Sequence, residues 1–210
     1  MNCISQEFLK AHNVYVPADN PFQQRARLLQ ALWREEKKYA CGEHRGAPLG
    51  SRLTADDAKS LHNFLSPNIR SVVNEEVYNK EKSKGKLYGR PRIFNDLLSS
   101  QPLCFNLFGE LKHDRDLSLA SRVFRRIWPD RVKDVHCVEF EESPGRNDKN
   151  FSDDQSAFDV FIRHSMPNGG DGFIGIEVKY HEDLKNKASW RSKEADRCKQ
   201  ERCYDELQKK

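Results

Sequence analysis

The apolar period of this chain changes once, near residue 130, and that change constrains the fold more than any other feature. Before it, hydrophobic residues recur at helical spacing; after it, they alternate. Asn20-Pro21 supplies a cap followed by proline at the first helical position. From there Phe22, Ala26, Leu29, Leu32, Trp33 and Tyr39 form one stripe, which Gly42 is expected to end. Thr54-Ala-Asp-Asp has the form of a capping box, with Asp57 in place of Glu or Gln, and predicts a helix to about Leu65. Ser66-Pro67 opens a third helix, with Ile69, Val72, Val73 and Val77 inward. Ser100 or Gln101 before Pro102 starts a short helix on which Asn106 and Glu110 are i,i+4 neighbours. Another helix is expected from about Asp116 to Trp128, where Pro129 stops it.

Val135-His-Cys-Val-Glu-Phe-Glu then reads as a strand, and so does Ser156-Ala-Phe-Asp-Val-Phe-Ile, with Ala157, Asp159 and Phe161 on one face. The turn-rich segment 164–172 leads into F-I-G-I-E-V-K-Y, residues 173–180, so the last two strands should form an antiparallel hairpin. From Glu182 onward the chain is polar and helix-prone. The fold class is therefore mixed α/β, with a helical region over 1–98 and a strand-bearing core over 99–210.

Composition narrows the setting. Charged residues make up 32% and the mean hydropathy is −0.87. No run approaches the ~18 apolar residues a membrane span needs. Met1 to Lys10 contains Glu7 and Lys10 and lacks an apolar signal core, so a cytoplasmic protein with no membrane association is expected. The six cysteines (3, 41, 104, 137, 198 and 203) include no Cys-x-x-Cys pair and read as free thiols. Cys41-Gly-Glu-His44 has no second Cys/His pair at zinc-finger spacing, so no structural zinc is expected. The net charge is only +4, so the distribution of charge matters more than its sum. Residues 79–92, N-K-E-K-S-K-G-K-L-Y-G-R-P-R, are the most basic stretch. Two glycines and a proline mark them as a loop. Lys80, Lys82, Lys84, Lys86, Arg90 and Arg92 fit either a solvated linker or a segment that contacts phosphates.

The predicted last strand carries two charges in an apolar run. Glu177 and Lys179 share one face, and two residues of strand span about 6.6 Å, so both heads can reach one small ion or phosphate. The same pattern also fits the solvated face of an edge strand. Asp153-Asp154 read as a solvated loop, and His164 and His181 lack a Ser or Cys partner at nucleophile spacing. Glu139 and Glu141 on the first strand are the nearest competing carboxylates.

The order helix with Glu110, strand, strand with Asp159, strand with Glu177-x-Lys179 resembles the PD-(D/E)xK nucleases, the restriction-endonuclease-like fold. S-S-Q-P-L-C-F-N-L-F-G-E-L, F-E-E-S-P-G-R, S-A-F-D-V-F-I and G-F-I-G-I-E-V-K-Y carry the likeness, over roughly residues 99–190, to a branch of bacterial proteins. Phe158 stands where the superfamily name has proline. The resemblance implies an α-β-β-β-α core and metal-dependent hydrolysis of DNA, in a restriction or defence setting. It implies Mg²⁺ (or Mn²⁺) held by Asp159, Glu177 and the Val178 carbonyl, with Lys179 managing the attacking water. Glu110 would join from its helix, and Gln101 and Asn106 would line the cleft. Duplex DNA is the expected partner, and a homodimer is compatible with a family in which many members cut both strands as dimers; a non-catalytic nucleic-acid-binding module on the same fold is the alternative. The family core closes with a helix and a further strand. After residue 190 only helix is legible, so the core is expected to be incomplete there or its last strand hidden.

Overall fold

The computed structural model of the chain describes residues 4–144 and 156–181. The expected tail from Glu182, and the reading of Asp153-Asp154, lie outside the described residues. Two helices open the chain, α1 (Gln6–Ala11) and α2 (Pro21–Glu36). Asn20 caps α2 as expected: its side chain accepts from the amides of Phe22 and Gln23, both at 3.0 Å, while Gln23 accepts from the Asn20 amide.

The first half is less helical than its stripes predict. A hairpin of β1 (Cys41–His44) and β2 (Ala47–Leu53) follows α2. Its two-residue turn places Arg45 and Gly46 at φ of 53° and 78°, the left-handed pair that matches strand twist. Arg-Gly is a weaker turn signal than Asn-Gly, so Gly42 reads as a helix end when it lies inside a strand. The helix expected to reach Leu65 is one short piece, α3 (Ala55–Lys59), with Leu61 beyond it at φ 58°. Ser66 caps α4 (Pro67–Val73), which runs on into a π-helical turn, Asn74–Tyr78. The basic loop leads to α5 (Arg92–Asn95) and then to α6 (Ser100–His113) and α7 (Ser118–Ile127).

Three strands complete the described chain: β3 (Val135–Glu142), β4 (Phe158–Ser165) and β5 (Asp171–Ile176). They form one antiparallel sheet in the order β3-β4-β5. The strand expected over 173–180 stops at Ile176. Beyond it the Val178 amide donates to the Asp159 side chain at 2.7 Å rather than to a ladder carbonyl. β5 is an edge among the described strands. Phe173 is 65% exposed, whereas Ile174 and Ile176 pack on the core. Gly175 has no Cβ, and the Phe158 ring occupies that space, 2.4 Å from where a Cβ would stand.

The main core lies between α6 and the sheet. Phe105 stacks on Phe140 with ring centroids 4.1 Å apart, a geometry that adds about 0.5–1.5 kcal/mol beyond the area it buries. Leu61, Phe64, Ile69, Val73 and Ile93 belong to the same buried cluster as Phe105, Val160 and Ile162. Packing therefore runs across residue 98. Among the described residues no helix is long and apolar enough to cross a membrane.

Candidate active site

The site is built where β4 begins and β5 ends. Val160 and Ile176 are the last pair of the ladder, and Asp159 and Glu177 lie directly beyond it, where the two strands part. The Val178 amide closes this corner with its bond to Asp159 Oδ2. Val178 is buried in the core, 7% exposed, which leaves Glu177 and Lys179 directed outward, each about half exposed. Their charged heads form an ion pair.

A third carboxylate comes from β3. Phe140 pairs with Val160 and Glu142 with Phe158, so Glu141 stands in the row of Asp159. Its φ of 50° is unusual for a non-glycine residue inside a strand. Burial pushes the Cys104 thiol upward, and the negative charges of Asp159, Glu141 and Glu177 push it further. These three carboxylates thus create one region of negative potential over the first turns of α6, where Cys104 Sγ donates to the Asp159 carbonyl.

Gln101 lies in the same place. Its amide takes a hydrogen bond from the Gly89 amide and donates to the Leu87 carbonyl, both at 2.9 Å, which fastens the end of the basic loop to α6. With Tyr88, Glu141 and Asp159 it lines a small pocket. Glu110 and Asn106 are used elsewhere. Glu110 is six residues past Cys104, about 9 Å along the helix. Its carboxylate accepts from the Ser66 hydroxyl and from Asn68 Nδ2 at 2.9 Å. Those two bonds hold it below the ordinary carboxylate range, the Ser66 bond most. Asn106 ties α6 to the segment before α4, accepting from the Leu65 amide and donating to the Asn63 carbonyl.

The basic residues divide as well. Lys80, Lys82, Lys84 and Arg92 are exposed. Lys82 approaches Glu75 at 3.8 Å. Arg90 bonds the Val77 carbonyl and lies over the Tyr78 ring. Lys86 turns inward to Glu76, which is fully buried, at 2.9 Å. Lys112 reaches the other Glu76 oxygen at 3.3 Å and Glu139 at 3.0 Å, so the network joins the π-helical turn, the loop, α6 and β3. Sequence reading missed Glu76. One signal was present: it follows Val72 by four residues and Val73 by three, and so sits in the inward stripe.

The donor chemistry suits a hard divalent cation. Asp159, Glu177 and the Val178 carbonyl offer oxygen ligands in a region of negative potential, and Mg²⁺ requires only one or two carboxylates because it keeps several waters. Among the described residues no group of three or more His, Cys, Asp or Glu side chains is gathered into a coordination shell. A family model described as the PD-(D/E)XK nuclease superfamily matches residues 17–210. No curated protein and no solved structure was found to match.

Proposed function

The chain belongs to the PD-(D/E)XK nuclease superfamily, and from that membership we propose that it is a metal-dependent endonuclease that hydrolyses DNA phosphodiester bonds. One observation carries this reading. The Val178 amide donates to the Asp159 carboxylate at 2.7 Å, which holds Asp159 against the short segment that carries the paired Glu177 and Lys179.

A bound Mg²⁺ or Mn²⁺ would offset the negative charge that grows on the phosphate oxygens. Asp159, Glu177 and the Val178 carbonyl would hold it. Lys179 would hold the attacking water and help to deprotonate it. The new P–O bond forms as the bond to the ester oxygen breaks, and that oxygen takes a proton from solvent. Lys80, Lys82, Lys84 and Arg92 would meet duplex phosphates beside the site, because Gln101 fastens their loop next to Asp159.

A non-catalytic nucleic-acid-binding module is the second reading, and the mutual Glu177–Lys179 pair favours it, since a surface ion pair needs no chemistry. Calorimetric titration with Mg²⁺ or Mn²⁺ separates the two. The nuclease reading expects binding by the native chain and its loss in Asp159→Ala; equal binding by both would contradict it.

A further inference from the structure

An aromatic stack stands at the entrance to the basic loop. Tyr78, the last residue of the π-helical turn, stacks on Phe94 of α5 with ring centroids 5.1 Å apart and planes 15° apart. The Arg90 guanidinium lies over the Tyr78 ring, 5.5 Å from its centre, and is held by its bond to the Val77 carbonyl. Phe94 is 8% exposed and Tyr78 46%, so the phenol is fixed in place and still open to solvent.

Both rings line a cavity of about 620 Å³ between the β1–β2 hairpin, α3 and α5. That is within the range of small-ligand sites, which are mostly apolar with a few polar groups. The floor is buried and apolar, made by Leu53, Ala58 and Phe94. The rim is exposed and carries Glu43, Lys59, Tyr78 and Pro91. Carbon below and a carboxylate acceptor and an ammonium donor above suit a flat heterocycle with polar edges better than an alkyl chain. Unpaired bases are such groups, and proteins take them on aromatic rings and guanidinium planes. Arg90 and Arg92 are exposed on either side of Pro91 and suit the phosphates that come with a base.

The cavity is joined to the candidate active site through the loop. Gln101, which shares a small pocket with Asp159, accepts from the Gly89 amide at 2.9 Å. Pro91 is two residues further on, at most about 7 Å of chain. One bound strand can therefore reach both places.

We propose that this cavity receives one unpaired base of the bound DNA, beside Tyr78, with Arg90 meeting an adjoining phosphate. The inference rests on the nuclease reading for DNA as the partner, and it adds a preference for substrate with an unpaired nucleotide.

Fluorescence anisotropy of the full chain with chelator present tests it, using two labelled duplexes that differ by one bulged adenine. The native chain should bind the bulged duplex about 10-fold or more tightly than the paired one, the size of effect one stacked base supplies. Tyr78→Leu keeps an apolar contact to Phe94 without the aromatic face, and Ala55→Trp fills the cavity from an exposed position of α3. Each should bind the two duplexes alike, with affinity for the paired duplex near native and a melting midpoint near native. If Tyr78→Leu melts early, Ala55→Trp decides. Equal binding of both duplexes by the native chain overturns the proposal, as does binding of neither, or a preference that survives in folded Ala55→Trp. Plasmid cleavage reports on the underlying reading separately. A native chain that prefers the bulged duplex without cutting plasmid keeps the cavity and loses the nuclease reading; one that cuts plasmid but binds both duplexes alike does the reverse.

Discussion

Glu177 and Lys179 touch, yet on this account their loss has different consequences. Lys179→Met removes the group that manages the water and leaves the carboxylates, so metal binding should persist while cleavage falls about 10²–10⁴-fold. Glu177→Gln exchanges an anionic ligand for a neutral amide and should weaken the metal site itself. If the two form only a surface pair, Lys179→Met costs roughly 0–1 kcal/mol of stability and changes nothing else. Glu110 gives the contrasting case. Its carboxyl is held low, above all by Ser66, so it stabilises the fold above its ordinary value of 4.5. That contribution is lost as pH falls through the lower folded value. Glu110→Gln should cost about 1 kcal/mol near pH 7, the gap should close in acid, and cleavage should be unchanged. Melting curves at the two pH values, with one cleavage assay, measure this. That Glu177 and Lys179 lie side by side was legible, because strand spacing fixes which residues share a face. The bonds of Glu110 to Ser66 and Asn68 were not, because i,i+4 spacing shows which residues are neighbours on a helix and not what that helix faces. Glu141 was only a competitor on sequence, since nothing there announces its left-handed backbone.

At the scale of elements, the basic loop shows how charge counting misleads. Six cations look equivalent in sequence, but Lys86 is tied to a fully buried carboxylate while the other five are exposed. Replacing Lys80 and Lys84 with alanine should leave stability alone and flatten the salt dependence of DNA binding, by about 0.9 in slope for each lost phosphate contact. Lys86→Ala leaves the buried Glu76 short of a partner and should cost about 3–5 kcal/mol. Filter binding across salt concentrations and urea unfolding read these separately. An unchanged slope for the Lys80 and Lys84 pair would make the loop a solvated linker. The β1–β2 hairpin was illegible for another reason: its strands have only 4 and 7 residues, and a proline and two glycines interrupt the alternation that would mark them. Long helices with proper caps, such as α2, announce themselves; short strands stabilised by tertiary packing do not.

Across the whole molecule, the helices before residue 98 and the sheet after it share one buried cluster, and the family match over residues 17–210 includes both. Removing the helical region should therefore unfold the sheet rather than free a working nuclease core. The same packing joins the loop to the site, because α6 carries Gln101 at one end and the Lys112 network at the other. The change of apolar period was enough to place α6, α7 and the three strands in order. It could not show that α3–α5 complete their core, since a stripe on a helix does not say what it faces. The central claim is metal-dependent cleavage, and the direct measurement is incubation of the full chain with supercoiled plasmid. With Mg²⁺ or Mn²⁺ present, nicked or linear product should accumulate, and chelator or Asp159→Ala should abolish it. Plasmid left supercoiled by the native chain with either metal, or cut equally by Asp159→Ala, would contradict the account.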